Sequence, residues 1–310
     1  FFQPVVEGAE CCQGIENQNL STKKWIGSGE KSTMLKDTIK IAVIDLNNGV
    51  PNQGLRCLRD LLKQTAESRS EVGVAFDFFD TRHGGVLPDI NYDIFISSGG
   101  PGSPYDGQGQ AWEKNYFNLV NRIYTHNQNG NPQKKYVFFI CHSFQMMVRF
   151  FGLADVVERH SKSFGIFPVH KTEAGKADPL LQGLADPFYG SDFRNWQVIQ
   201  PNRPQLKSLG AKILCIEKIR PYVPYERAIM ALRVSAEMVV TQFHPESDPT
   251  SIRWHLHHPE KKDHILERWG LSKYQQMQRL ADNTDGVART HKTIIPGFID
   301  SALRALRPMG

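Results

Sequence analysis

The stretch Tyr136-Val137-Phe138-Phe139-Ile140-Cys141-His142-Ser143-Phe144-Gln145 carries five apolar or aromatic residues straight into a cysteine. From Ser143 to Phe151 the chain then reads as a helix. Strand, sharp turn and helix with a nucleophilic side chain at the turn is the pattern of an elbow that holds a reactive atom above a sheet. A cysteine attacks as thiolate, and its ordinary pKa of about 8.5 leaves little thiolate at neutral pH. Three devices assist it: the N-terminal dipole of the following helix, a histidine that takes the proton, and backbone N–H groups that bind the developing oxyanion.

Upstream, Ile39 to Leu46, Val74 to Asp80 and Tyr92 to Ser97 read as buried strands. Between the first two, Leu55, Leu58, Leu61 and Leu62 fall on one face of a helix. A second helical stripe, Trp112, Tyr116, Leu119 and Ile123, precedes the Cys141 strand. Strands alternating with helices imply an open, mostly parallel sheet with helices on both faces. Beyond the Cys141 helix, short strand-like runs follow closely: Phe164 to Val169, Trp196 to Ile199, Lys212 to Glu217, Ala228 to Leu232 and Met238 to Phe243. They predict a small antiparallel cap. From Ser247 onward the pattern is helical and mostly polar, with Trp254, Leu266, Trp269, Tyr274, Met277 and Leu280 as anchors.

The division expected is a disordered extension or linker over 1–33, an α/β domain over 34–250 and a helical C-terminal extension over 251–310. Residues 1–33 show no sustained period and end in a Gly/Ser-rich run before Met34.

The composition is that of an ordinary globular chain: 310 residues, 40% hydrophobic and 22% charged. No apolar run approaches the roughly 20 residues that cross a membrane. A net charge of +5, with Lys and Arg scattered, argues against nucleic acid as a partner. The five cysteines, Cys11, Cys12, Cys57, Cys141 and Cys215, are odd in number and form no CxxC pair. That argues for free thiols in a reducing compartment, hence a cytoplasmic location, and against structural zinc. Cys57 and Cys215 read as core thiols. His255, His257 and His258 lack ligand-spaced partners and read as a solvated helix surface, so no metal site and no cofactor are expected.

The base is expected at His244, in Gln242-Phe243-His244-Pro245-Glu246 at the end of an apolar strand. His244 and Glu246 are two apart, so in extended backbone they project to one side, where Glu246 can hold one ring nitrogen. Oxyanion donors are expected from His142 and from Ser98-Gly99-Gly100-Pro101-Gly102-Ser103-Pro104, a loop leaving the third strand at its carboxyl end. Without a Lys-Ser or Lys-Thr ending, that loop is not a P-loop. Asp45 and Asn48, after the first strand, are expected to face the same cleft.

These three motifs, in this order and at these separations, resemble the class I (triad) glutamine amidotransferase domain, nearest to its stand-alone, GMP-synthase-like members. Asp178 to Leu184 is also similar to a family segment, the one before the substrate-binding strand. The resemblance runs from about Ile39 to Glu246. It implies a flavodoxin-like fold and a Cys141, His244, Glu246 triad that releases ammonia from glutamine through a γ-glutamyl thioester. It also implies an oxyanion hole from Gly100 and His142, and substrate contacts from Gln145, Gly99, Ser191 and Phe193. Where the family elbow usually reads Gly-x-Cys-x-Gly, this chain has Phe139 and Ser143. Phe139 must find its own pocket or reshape the site. The segment after Glu246 is shorter than the ~100 residues of a typical synthetase domain, so an ammonia acceptor would be a separate synthetase. A Cys-dependent γ-glutamyl hydrolase or acyltransferase with another substrate, and a non-catalytic binding protein of the same fold, remain open alternatives.

Overall fold

The computed structural model describes residues 38–69, 72–219, 226–283 and 286–307. The expected N-terminal extension, with Cys11 and Cys12, lies outside them.

Strand β1 (Ile39–Asp45) enters the core with only Lys40 exposed, because both of its faces are covered. Asn52 Oδ1 then accepts from Gly54 N at 2.6 Å and caps α1 (Gln53–Ser68), whose Cys57, Leu58, Leu61 and Leu62 are buried. After β2 (Val74–Asp80) and β3 (Ile94–Ser97) come α2 (Ala111–Gln128), β4 (Tyr136–Ile140) and α3 (His142–Phe151). Gly152, at φ 64°, ends α3 in the left-handed conformation that glycine adopts without penalty.

Two of the runs expected as short cap strands, Phe164 to Val169 and Trp196 to Ile199, belong to longer strands, whereas Lys212 to Glu217 forms the strand expected of it. Strand β5 (Ala154–Lys171) and β6 (Phe188–Pro201) form one long antiparallel hairpin, with α4 (Glu173–Ala177) and a 3-10 turn at Pro179–Leu181 between them. Charged residues inside the hairpin hide its strand character: Arg159 and Arg194 are buried against Glu217 and Asp192. Then follow α5 (Arg203–Leu209), β7 (Lys212–Glu217), β8 (Ile229–Arg233) and β9 (Met238–Thr241). These strands do not stack as a separate layer. They extend the same sheet, whose order is β2-β1-β3-β4-β9-β8-β7-β5-β6. The first five are parallel and the rest antiparallel.

Register decides what meets at the carboxyl edge. Ser97 at the end of β3 lies beside Phe139 of β4, and Ile140 beside Thr241 of β9. The Gly-rich loop, Cys141 and the Gln242–Glu246 segment therefore leave the sheet side by side, although the first and last are over 130 residues apart in sequence.

The last part of the chain comprises α6 (Pro249–His257), α7 (Pro259–Asp282) and α8 (Val287–Leu306). Helix α7 bends at Gly270, where φ is 76°. Tyr274 and Met277 are buried, and Leu266, Trp269 and Leu280 pack against them, with Ile252 and Leu256, over the β5–β6 hairpin. Trp254, expected as an anchor, is 49% exposed. The mostly polar reading fails for α8. Its Ile294, Ile295, Phe298, Ile299, Ala302 and Leu303 join Phe138 and Ile140 in the core shared with α1. Helices α2 and α3 cover the opposite face. Among the described residues no helix is long and apolar enough to cross a membrane.

Candidate functional site

Cys141 occupies the turn between β4 and α3 at φ 51° and ψ −99°, a conformation that costs a non-glycine residue energy. Two anchors hold it there. Its N–H donates to Thr241 O at 2.7 Å, and its carbonyl accepts from Gln145 N at 3.1 Å. Ser143, where the family has glycine, braces the turn from beneath. Its Oγ accepts from Ile140 N at 2.8 Å and donates to Ser97 O at 2.9 Å. Phe139 has found its own pocket. Strand alternation turns it to the face opposite Phe138 and Ile140, among Phe95, Tyr116 and Phe144.

His244 and Glu246 stand two residues apart, and His244 Nδ1 lies 2.7 Å from Glu246 Oε1. His244 N–H donates to Ser191 O at 2.8 Å, which pins the segment to β6. Burial disfavours a charged His244, but the charges of Glu246 and Cys141 outweigh it and hold the imidazole well above its ordinary pKa. Glu246 Oε2 is buried without a partner among the described residues. From α8, His291 Nδ1 contacts the Glu246 carbonyl at 2.9 Å, so the last helix also supports this segment.

The Gly-rich loop lies over the pair. A Cβ on Gly99 would sit 2.8 Å from His244 Cε1 and 3.5 Å from Cys141 Cβ. A Cβ on Gly100 would sit 2.3 Å from Leu46 O. Both positions therefore require glycine for close approach. Two arginines fasten the loop from outside. Arg82 donates to Pro101 O at 2.5 Å and to Asp106 at 3.3 Å, and Arg149 bonds Pro104 O and pairs with Glu113. The N–H groups of Gly100 and His142 have no protein acceptor among the described residues. Burial, with Arg82 and Arg149 nearby, pushes the His142 imidazole down to about 3, so its side chain is neutral.

A cleft of about 200 Å³ joins Cys141, His244, Glu246, Gly99, Gly100 and Phe193. Gln145 and Ser191 do not line it. Gln145 Nε2 instead reaches Gln242 Oε1 at 3.1 Å, and Gln242 Nε2 lies 3.6 Å from Cys141 Sγ. Ser191 acts through its carbonyl. The Phe193 carbonyl is 3.9 Å from Cys141 Sγ, and its ring sits 5.7 Å from that of His244. After β1 the cleft takes Asn47, not Asp45 or Asn48. Asp45 turns back to bond Asn47 N at 2.7 Å. A larger hollow, about 700 Å³ beside α4, α5 and β7, has no cysteine or histidine in its wall.

Sequence reading missed three contributors. Gln242 is part of the Gln242–Glu246 motif, and its place two residues before His244 in an extended segment is the available signal. His255 and Lys261 carry no local signal, because α6 and α7 bring them into the cleft wall. His255 is therefore not the solvated surface residue expected, whereas His257 is exposed. Cys57 and Cys215 are fully buried, as expected of core thiols, and burial pushes Cys57 up to about 11. Among the described residues no group of three or more His, Cys, Asp or Glu could hold a metal.

A strained cysteine at the carboxyl edge of a parallel sheet, beside a carboxylate-held histidine from the next parallel strand, defines an α/β protein with a cysteine elbow between strand and helix. Residues 58–258, more than half of the chain, match the family described as glutamine amidotransferase class-I, and the chain belongs to that family. Its fold is similar to that of a glutamine amidotransferase from Thermotoga maritima, at TM-score 0.60 and 16% identity over 88% of this chain and 100% of that one. It is also similar to a glutamine amidotransferase from Methylobacillus flagellatus, at TM-score 0.51 and 15% identity over 83% and 95%. No curated protein matches the chain significantly.

Proposed function

We propose that this chain is a glutaminase-type hydrolase in which Cys141, His244 and Glu246 act as a triad on the side-chain amide of glutamine. Cys141 Sγ attacks the amide carbon, and the carbonyl oxygen becomes an oxyanion bound by the N–H groups of Gly100 and His142. His244, held by Glu246, gives its proton to the departing nitrogen, so ammonia leaves and a γ-glutamyl thioester remains on Cys141. Water then attacks the thioester carbon, His244 takes a proton from it, the C–S bond breaks, and glutamate leaves. Gln242, beside Sγ, orients the sulfur, and Gln145 acts behind it through Gln242.

The observation that carries this reading is the meeting in one cleft of Cys141, His244 with its 2.7 Å contact to Glu246, and Gly100, whose N–H, like that of His142 next to Cys141, has no protein acceptor among the described residues. The test is glutamate and ammonia release from glutamine by the wild type and by Cys141→Ala. Equal rates would end the proposal. Weighing the adduct on Cys141 after quenched turnover identifies the acyl group, and a mass other than γ-glutamyl would transfer the same machinery to another substrate.

A further inference from the structure

Lys261, in the first turn of α7, lines the cleft that holds Cys141. It is half-buried, and burial lowers its pKa. Its Nζ lies 2.7 Å from His255 Nδ1, 4.9 Å from the centre of the Trp254 ring and 5.9 Å from that of Phe164. Among the described residues no carboxylate comes within ion-pair distance, and its exposed chain neighbour Glu260 is the one acid that attracts it. His255 does not compete for the charge. Burial, with Lys261, His244 and His258 nearby, pushes its imidazole down to about 3, so it stays neutral and Nδ1 accepts from the ammonium.

A cation drawn partly out of water, held by a neutral imidazole and two ring faces, is an incomplete arrangement. Desolvating a charge is costly without an opposite one nearby. The rings fix its place. The Phe193 ring lies 5.7 Å from that of His244 and 5.1 Å from that of His255, so one aromatic side chain of the cleft wall touches both His244 and the histidine that holds Lys261. A ligand whose amide is at Cys141 would extend its other end along this wall.

We infer that Lys261, positioned by His255, is the anion-binding end of the cleft and selects substrates that carry a carboxylate at the end opposite the scissile amide. The inference rests on the proposed attack by Cys141, and it assigns a specificity role to helices that lie mostly beyond the matched family segment. Two features keep the ammonium aimed. His255 removes one of its three N–H groups from competition, and the ring faces of Trp254 and Phe164 leave no acceptor on their sides.

The test uses two diazoketones on the full chain, one bearing the amino-acid head of glutamine and one identical but lacking the carboxylate. The adduct on Cys141 is located by mass. Lys261→Met should slow the acidic reagent at least tenfold and leave the neutral one within twofold. Lys261→Arg should keep most of the preference, and Lys262→Met, altering the exposed neighbour, should change nothing. Where glutamine is turned over, Lys261→Met should raise KM and spare kcat. Equal slowing of both reagents in Lys261→Met and Lys261→Gln, or no change in either, overturns the subsite, as does a Cys141 inert to both reagents. A wild type that releases no ammonia yet loses its acid preference in Lys261→Met refutes the glutaminase reading and upholds the subsite. An active glutaminase with unchanged KM in Lys261→Met does the reverse.

Discussion

His244 Nδ1 and Glu246 Oε1 lie 2.7 Å apart, so the proposed base and its orienting carboxylate are set by two positions of one extended segment. Glu246→Gln keeps the shape and removes the charge. Burial then acts on His244 with less opposition, and its raised pKa falls. Turnover should drop about 10²-fold or more, and the limb of the pH–rate profile that reports His244 should move to lower pH. The same pair stabilises the fold fully below the unfolded value of about 6.5, and that contribution is lost as pH rises through the raised folded value. Denaturant melts of wild type and Glu246→Gln from pH 6 to 9 should therefore converge as pH rises.

Cys141 sits at φ 51°, where glycine carries no penalty and alanine does. Cys141→Gly and Cys141→Ala should both abolish glutamate release. Between the two, the glycine variant should be the more stable by about 1 kcal/mol, the strain relieved exceeding the entropy lost. Equal urea midpoints would show that the turn stores no strain.

Ser143 Oγ bonds Ile140 N and Ser97 O, linking the elbow to β3. Ser143→Ala removes both bonds inside the core and should cost about 1–3 kcal/mol. Ser143→Gly, which restores the usual family residue, should cost no less, because here the hydroxyl carries the brace. Activity at 25 °C should fall in both, as the kcat of purified variants will reveal.

Gly99→Ala would drive a methyl against His244 Cε1, and Gly100→Ala would drive one against Leu46 O. The first should eliminate turnover with little change in melting temperature. The second meets backbone and should lower both. Gly130→Ala, with no atom within 4 Å of its Cβ but φ at 73°, should lower the melting temperature through backbone strain alone and spare turnover.

His142 is buried and neutral, its imidazole pushed down to about 3. The unfolded chain, with an ordinary value near 6.5, takes up the proton first, so stability falls with pH in the window from about 6.5 to about 3. For this one residue the loss between pH 7 and 5 should be about 2 kcal/mol. His142→Gln keeps the backbone N–H and should flatten that part of the pH–stability curve. Denaturation midpoints at the two pH values measure it.

Much of the site was legible in sequence because its parts are local. An apolar run into Cys141, three glycines after a strand and a His-Pro-Glu step at a strand end each carry their meaning within a few residues. The outcome at Phe139 was not. Its bulk was visible, but strand alternation under α2 and α3 decides that it packs away from the cleft. Helix α8 reads as polar because the run Arg289-Thr290-His291-Lys292-Thr293 holds no apolar residue, and only packing shows Ile294, Phe298 and Ile299 beneath β4. The β5–β6 hairpin was broken into fragments because buried Arg159 and Arg194 resemble loop residues until Glu217 and Asp192 are brought to them.

The family, the elbow, the glycine loop and the His244–Glu246 spacing are written in local sequence, since backbone propensity and short-range geometry depend on neighbours along the chain. Tertiary structure alone decided the rest. Parallel register set Cys141 beside Thr241, and so beside the segment that carries His244. The packing of α6 and α7 on the hairpin, which buries Ile252, Leu256, Tyr274 and Met277, brings His255 and Lys261 into the cleft wall, because a helix that buries one face presents its neighbours beside that face.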